Sequence, residues 1–210
     1  MTRRGVLGMG ATAALDAALS PARALAQSAG PGPEMRALSA YMSAASSQPL
    51  PAEAAEHAKH HLIDTLASMI SGSVLPPGEA AQRHAGAYGA KGAATIVATA
   101  LTASPADAAF ANGMMAHADE TDDSHNASRS HPGCAVVPAA LAVGEELGIE
   151  GAHLLRAVAL GYDVGTRVVM AMGGAEFSYE SSLSTHSIAG TFGAGAAAAC
   201  AAGLEARGMC

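Results

Sequence analysis

The chain has 210 residues and a formal charge of −7, from 11 basic and 18 acidic side chains. Half of its residues are hydrophobic, yet 53 are alanine, 24 are glycine and only 3% are aromatic. Alanine is the strongest helix former and strand-favouring residues are scarce, which excludes an all-β fold; the hydrophobicity excludes disorder, and the acidic balance argues against a nucleic-acid binder.

Residues 1–26 read as a twin-arginine-type signal peptide. Arg3 and Arg4 precede a weakly apolar run to Leu15, and Ala24-Leu25-Ala26 offers a cleavage site. The expected location is therefore periplasmic or exported, or cytoplasmic if the signal is not used, as Asp16 near the end of the apolar run would favour. No later stretch reaches the ~18 uninterrupted apolar residues of a membrane span. Residues 27–33 read as a Gly/Pro linker, and residues 34–210 as one helical domain.

Pro51 can open a helix running to about Ser71, with Ala55, Ala58, Leu62, Leu66 and Met69 in one apolar stripe. Pro76-Pro77-Gly78 breaks the chain before a short helix to about Tyr88. Ala94–Ala98 is the one plausible strand. Ser104-Pro105-Ala106-Asp107 has the pattern of an N-cap, a first-turn proline and a third-position carboxylate, predicting a helix to about Ala118. Further helices are predicted near 133–147, 151–172 and 187–203. Gly161 and Gly165, and Gly190, Gly193 and Gly195, form small-residue stripes that suit close helix packing. No GxGxxG motif follows a strand, so a dinucleotide-binding reading has no footing.

The polar interruption at 117–131 carries the chemistry. Four of the five residues 119–123 are acids, and His117, His125 and His131 lie within fifteen positions. Crowded carboxylates push their pKa values apart, which suits acid–base work. Metal-site spacing is not met: the histidines match no His-Glu-x-x-His pair, and Ser124 stands where a calcium loop needs glycine. Cys134, Cys200 and Cys210 are too scattered for a disulfide framework or an iron–sulfur cluster. Ser124 lacks the Gly-x-Ser-x-Gly setting of a nucleophile.

Ala109-Phe110-Ala111-Asn112-Gly113, then Ala116-His117 through Glu120, Asp122, Asp123, Ser124 and His125, then His131-Pro132-Gly133, resembles the hallmark of the MmgE/PrpD family. Pro138, Leu141, Gly161-Tyr162-Asp163-Val164, Arg167 and His186 leading into Gly190 and Gly193 follow in the same order. The resemblance covers roughly residues 35–205. It implies an all-α domain that pairs with a smaller α+β lid, homodimers, and a lyase or isomerase that uses no metal or other cofactor. The substrate class it implies is a di- or tricarboxylic acid.

Carried over by position, the family's active-site residues fall on Glu120 (where Asp is usual), Ser124 (where Thr is usual), His131 and His186. Thr121 replaces the usual Phe. The implied mechanism is proton abstraction beside a carboxylate, with His131 or His186 as base and acid and with Glu120 and Ser124 orienting substrate or histidine. Asp123, His125 and Arg129 are candidate substrate contacts. Dehydration of a 2-methylcitrate-like acid is the leading expectation, with decarboxylation or epimerisation as alternatives.

The resemblance also places the lid and several substrate-binding lysines in a second half, whereas this chain holds only Lys59 and Lys91. The expectation is therefore of an incomplete domain, inactive alone toward 2-methylcitrate or cis-aconitate. A non-catalytic exported helical binding domain is the reading of a different class. His57, His60, His61, His84 and His153 are read as surface or packing residues.

Overall fold

A computed structural model describes residues 30–209. The expected signal peptide and the first residues of the linker lie outside the described residues. Residues 39–209 form one compact unit, and the described residues 30–38 belong to a second. Residues 30–32 carry no helix or strand, and the first described helix, α1, spans Pro33–Ala45.

The architecture is all-α. After α1 come α2 (Ala52–Gly72), α3 (Pro76–Tyr88), α4 (Pro105–Ala116), α5 (Gly133–Leu147), α6 (Gly151–Ala171), α7 (Ala175–Ser181), α8 (Thr185–Ala201) and a 3-10 turn at Ala206–Met209. Among the described residues the only sheet is a two-stranded antiparallel ribbon, β1 (Ala94–Thr95) with β2 (Thr102–Ala103). The expected strand at 94–98 is thus shorter than predicted and has a partner that periodicity did not reveal. Buried Asn112 on α4 holds this ribbon: its Oδ1 accepts from Val97 N–H at 2.9 Å, and its Nδ2 donates to the Thr95 carbonyl at 2.9 Å.

Local signals place the helix starts. Ser104 caps α4 by accepting from Asp107 N–H at 3.2 Å, and its hydroxyl donates to the Asp107 carboxylate at 2.6 Å. That bond, then the Ala90 N–H, draws the Asp107 pKa below the usual carboxylate value. Ser184 caps α8 through Ser187 N–H at 3.1 Å, so this helix begins two residues earlier than the apolar pattern alone indicates. Helix α7 was not predicted. None of its residues is buried, so it has no apolar stripe to read.

The core lies where α5, α6 and α8 meet, with α4 packed on α5 and with α2 and α3 against α4. Val136, Val137, Val158 and Val169 are fully buried there, among many alanines. The small-residue stripes set the spacing of α6 and α8. A Cβ on Gly161 would stand 2.9 Å from the Gly193 carbonyl oxygen, and one on Gly165 only 2.5 Å from that of Ala189. Backbones this close exchange dispersion contacts that larger side chains would prevent.

Helix α2 is less apolar inside than its stripe implies. Ala58 and Met69 are buried as predicted, but so are Thr65 and Ser68. Their hydroxyls donate to the His61 and Asp64 carbonyls of the preceding turn, at 2.8 and 3.1 Å, which satisfies them. Ile63 and Ile70 lie exposed on α2, at 64% and 57% exposure. No described helix is long and apolar enough to cross a membrane.

Candidate active site

Helix α4 ends at Ala116, and the chain runs through an irregular loop before Pro132 and Gly133 open α5. Glu120 and Arg129 adopt left-handed backbone conformations, with φ of 54° and 47°. Between them the loop folds into a tight reverse turn: His125 N–H donates to the Ser130 carbonyl at 2.8 Å. Ser128 and Ser130 are buried inside it, their hydroxyls 2.7 Å apart.

This path brings the imidazoles of His117 and His131 together with that of His186, 55 residues beyond His131. His117 ends α4, His131 precedes α5 and His186 lies in the first turn of α8. The rings of His117 and His186 stack with centroids 4.9 Å apart, and His131 stands 5.2 and 5.5 Å from them. Beneath the rings is Asp122, whose side chain is fully buried. Its Oδ1 lies 3.0 Å from His117 Nδ1 and 3.7 Å from His131 Nδ1. His131 Nδ1 is itself buried and has no hydrogen-bond partner.

The main chain fixes His186. Its Nδ1 accepts from His131 N–H at 3.1 Å, which assigns the ring proton of the neutral form to Nε2. Burial, then repulsion from His117 and His131, lowers its pKa below the usual histidine value, while Asp122 and Glu120 act in the opposite direction. His186 is therefore a neutral imidazole that presents an N–H, as a hydrogen-bond donor should.

A second cluster stands behind the loop. Asp123 Oδ1 accepts from Gly133 N–H at 2.9 Å, and its Oδ2 lies 3.0 Å from His61 Nδ1. The His61 ring stacks on Tyr162 at 4.3 Å. Burial raises the Asp123 pKa, but His61, the Tyr162 hydroxyl and Gly133 N–H outweigh it, and the carboxyl titrates below its usual value. Asp123 therefore anchors the start of α5. His61, read from sequence as surface or packing, is half-buried and part of this anchor.

In front of His131 is a pocket of about 350 Å³ lined by Ser124, His125, Asn126, Arg129, Ser130 and His131. Ser124 and Arg129 are exposed along it. The Arg129 guanidinium lies 4.6 Å from the centroid of the Tyr179 ring and donates to its hydroxyl. His125 uses Nδ1 within the turn, accepting from Ser128 N–H at 3.2 Å. Glu120 is exposed and stands outside the hydrogen bonds that tie the three rings together.

The structure thus brings His131 and His186 together, sets Ser124, His125 and Arg129 on the adjoining pocket, and turns Asp123 toward the fold's own backbone. Sequence reasoning placed His117 and Asp122 in the segment that carries the chemistry but gave neither a role in the site. The adjacent Asp122-Asp123 pair was the available signal, since two neighbouring acids on one loop point to different sides. Cys134, one residue into α5, donates its thiol to the His131 carbonyl at 3.2 Å. Burial first, then the Asp122 charge, pushes this thiol's pKa well above its usual value.

Residues 36–210 match the sequence model of the MmgE/PrpD N-terminal domain. The chain is 31% identical over 134 residues to the cis-aconitate decarboxylase-like protein oryM of Aspergillus oryzae, a match covering 60% of this chain and 28% of that protein. It is 26% identical over 132 residues to a cis-aconitate decarboxylase of Aspergillus terreus, covering 60% of this chain and 27% of the relative. The aligned stretch therefore spans less than a third of either relative's length. With its helical fold and the order of its site residues, the chain belongs to the MmgE/PrpD family and carries that family's N-terminal domain.

Proposed function

We propose that this domain supplies the proton-transfer side of a lyase acting on a di- or tricarboxylic acid. The observation that carries the reading is the packing of His117, His131 and His186 over buried Asp122, beside a pocket that holds Ser124 and Arg129.

The roles divide by geometry. His131 turns its buried Nδ1 toward Asp122. The exposed part of its ring therefore lies away from Nδ1, and Nε2 is the nitrogen available for proton exchange with substrate. Asp122 stabilises the imidazolium that forms. His186, neutral, donates from Nε2–H to the carboxylate or enolate oxygen on which charge develops. Arg129, the one pocket-lining residue with a permanent positive charge, pairs with a substrate carboxylate, and Ser124 donates a hydrogen bond. Glu120 orients a ring through its charge.

Both leading reaction types use these groups. In dehydration His131 takes the proton beside a carboxylate, the electron pair forms the double bond, and the hydroxide leaves as water with a proton drawn from solvent, to which the His131 imidazolium then returns its own. In decarboxylation the carbon–carbon bond breaks, carbon dioxide leaves, and the electron pair is protonated at carbon by the His131 imidazolium. The named relatives are a cis-aconitate decarboxylase and a cis-aconitate decarboxylase-like protein, which favours a cis-aconitate-like substrate over the dehydration expected from sequence. Homodimerisation and export belong to the same proposal, and the exposed Ile63 and Ile70 suit a protein interface.

The test is an assay of the full-length enzyme with cis-aconitate and with 2-methylcitrate. His131→Ala is expected to lower kcat at least ~100-fold, the scale of a lost general acid–base group. Turnover within threefold of wild type would remove His131 from the chemistry and the reading with it.

A further inference from the structure

Beneath the three rings the fold assembles a donor set that sequence spacing does not reveal. His117, Asp122 and Cys134 each offer one ligand atom, and the three atoms lie within 4.8 Å of one another. Asp122 and Cys134 are buried and His117 is half-buried. They come from three different places: the end of α4, the loop, and the first turn of α5. A second observation points the same way. His131 Nδ1 is buried without a hydrogen-bond partner and faces the same Asp122 oxygen from 3.7 Å. A buried imidazole nitrogen left unpaired is costly, and a water bound to a cation at this cluster would pair it.

We infer that this cluster is a binding site for a thiophilic divalent cation of the zinc class, held by His117, Asp122 and Cys134 with a water molecule completing the tetrahedron.

The chemistry of the donors selects the ion. One imidazole, one carboxylate and one sulfur with an open fourth position suit tetrahedral zinc or cobalt, whereas magnesium and calcium require shells of oxygen. Bond lengths of about 2.0–2.3 Å place tetrahedral ligands roughly 3.3–3.6 Å apart, so closing the site needs side-chain shifts of about 1 Å. Binding is a balanced exchange: the cation forms bonds to nitrogen, oxygen and sulfur, and the Cys134 thiol releases its proton to solvent. The cation replaces the His117–Asp122 hydrogen bond, and its bound water pairs the orphaned nitrogen of His131. Binding is independent of the lyase reading. If both hold, occupancy takes Asp122 away from His131 and silences the enzyme.

The test reads coordination and needs no turnover. The purified chain, stripped with chelator, is titrated with Co²⁺ and followed by absorption. One equivalent is expected to produce visible bands of tetrahedral cobalt and a near-ultraviolet thiolate-to-cobalt charge-transfer band, both removed by stoichiometric Zn²⁺ and untouched by excess Mg²⁺. Cys134→Ser, which keeps the shape of the buried side chain, should abolish the charge-transfer band and weaken binding at least tenfold. Cys200→Ser should leave the band intact. His117→Gln, at a half-exposed position, tests the same site should the Cys134 variant fail to fold, and it too should weaken binding at least tenfold. A charge-transfer band that survives Cys134→Ser, affinity unchanged in His117→Gln, or purely octahedral cobalt without a thiolate band would overturn the assignment.

Discussion

Asp122 and Asp123 are consecutive residues that serve two different parts of the molecule. Asp122 faces the three imidazoles, where the groups it meets are polar, titratable and incompletely paired. Asp123 faces the other way, where the first N–H of α5 and the His61 ring use both of its oxygens. One carboxylate sits among groups with spare hydrogen-bonding capacity, and the other is spent on holding backbone. The difference shows how a short loop separates chemistry from support. Each cluster keeps one buried polar atom without a hydrogen-bond partner, His131 Nδ1 on one side and the Tyr162 hydroxyl on the other; what separates them is that Asp123 holds the first N–H of α5 while Asp122 meets titratable side chains.

The support side should break most severely at Gly133. A Cβ there would stand 2.5 Å from Thr65 Oγ1, 2.7 Å from Asp123 Oδ1 and 2.8 Å from the Tyr162 hydroxyl. Three groups from α2, the loop and α6 converge on one hydrogen atom's space, and none is the end of a long flexible side chain. Gly133→Ala is expected to cost about 3 kcal/mol, at the upper end for overpacking. That lowers Tm by roughly 6–12 °C for a domain of this size, measurable by calorimetry. A shift under 2 °C would mean that the cluster yields freely and anchors nothing.

The two aspartates should then separate by what each substitution damages. Asp123→Asn weakens two charge-assisted hydrogen bonds at a largely buried site and should cost about 2 kcal/mol. Asp122→Asn keeps shape and most hydrogen bonding and should cost about 1 kcal/mol, while lowering kcat more than Asp123→Asn does. Their pH dependence separates them as well. Asp123 has a depressed folded-state pKa, so its stabilisation is present above the unfolded value near 3.8 and is lost as the pH falls through the folded one. His186 is also depressed, which for a histidine means that the unfolded chain binds protons more readily. Its contribution is complete above about pH 6.5 and fades as the solution is acidified below that value. Stability should thus fall in two acid steps, and denaturant titrations should show Asp123→Asn removing only the lower one.

The elements were legible in proportion to how local their causes are. Ser104 and Asp107 are three residues apart and satisfy each other, so the start of α4 could be read from four letters. The glycine stripes of α6 and α8 were readable as close packing because small residues at helical spacing have few other uses. His117 and Asp122 were not readable as partners of His186, since nothing within the loop sets its course; the left-handed turns at Glu120 and Arg129 do so only in the folded chain. His61 escaped for the same reason, because its role comes from stacking on Tyr162, a residue of α6. Buried Thr65 and Ser68 made the interior of α2 look more apolar in sequence than it is, because hydroxyls satisfied by their own helix leave no trace in a hydropathy pattern.

The smallest effect is expected at Arg167, one of the residues that carry the family resemblance. Its guanidinium Nε instead lies 2.5 Å from Asp163 one helical turn away, and Tyr41 donates to the same carboxylate at 2.8 Å. The Asp163 contact raises the Arg167 pKa, so the charge is already committed. The side chain is 76% exposed, and water screens the pair strongly. Arg167→Ala should therefore change stability by no more than about 0.5 kcal/mol, with that small difference vanishing in high salt. Turnover should not change, since nothing connects this pair to the imidazoles. Arg129→Ala provides the contrast: it too is exposed to solvent but lines the pocket beside His131, so its loss should raise KM while leaving Tm nearly unmoved. Equal effects on KM from the two arginines would mean that the acidic surface as a whole, rather than the pocket, governs access of the substrate.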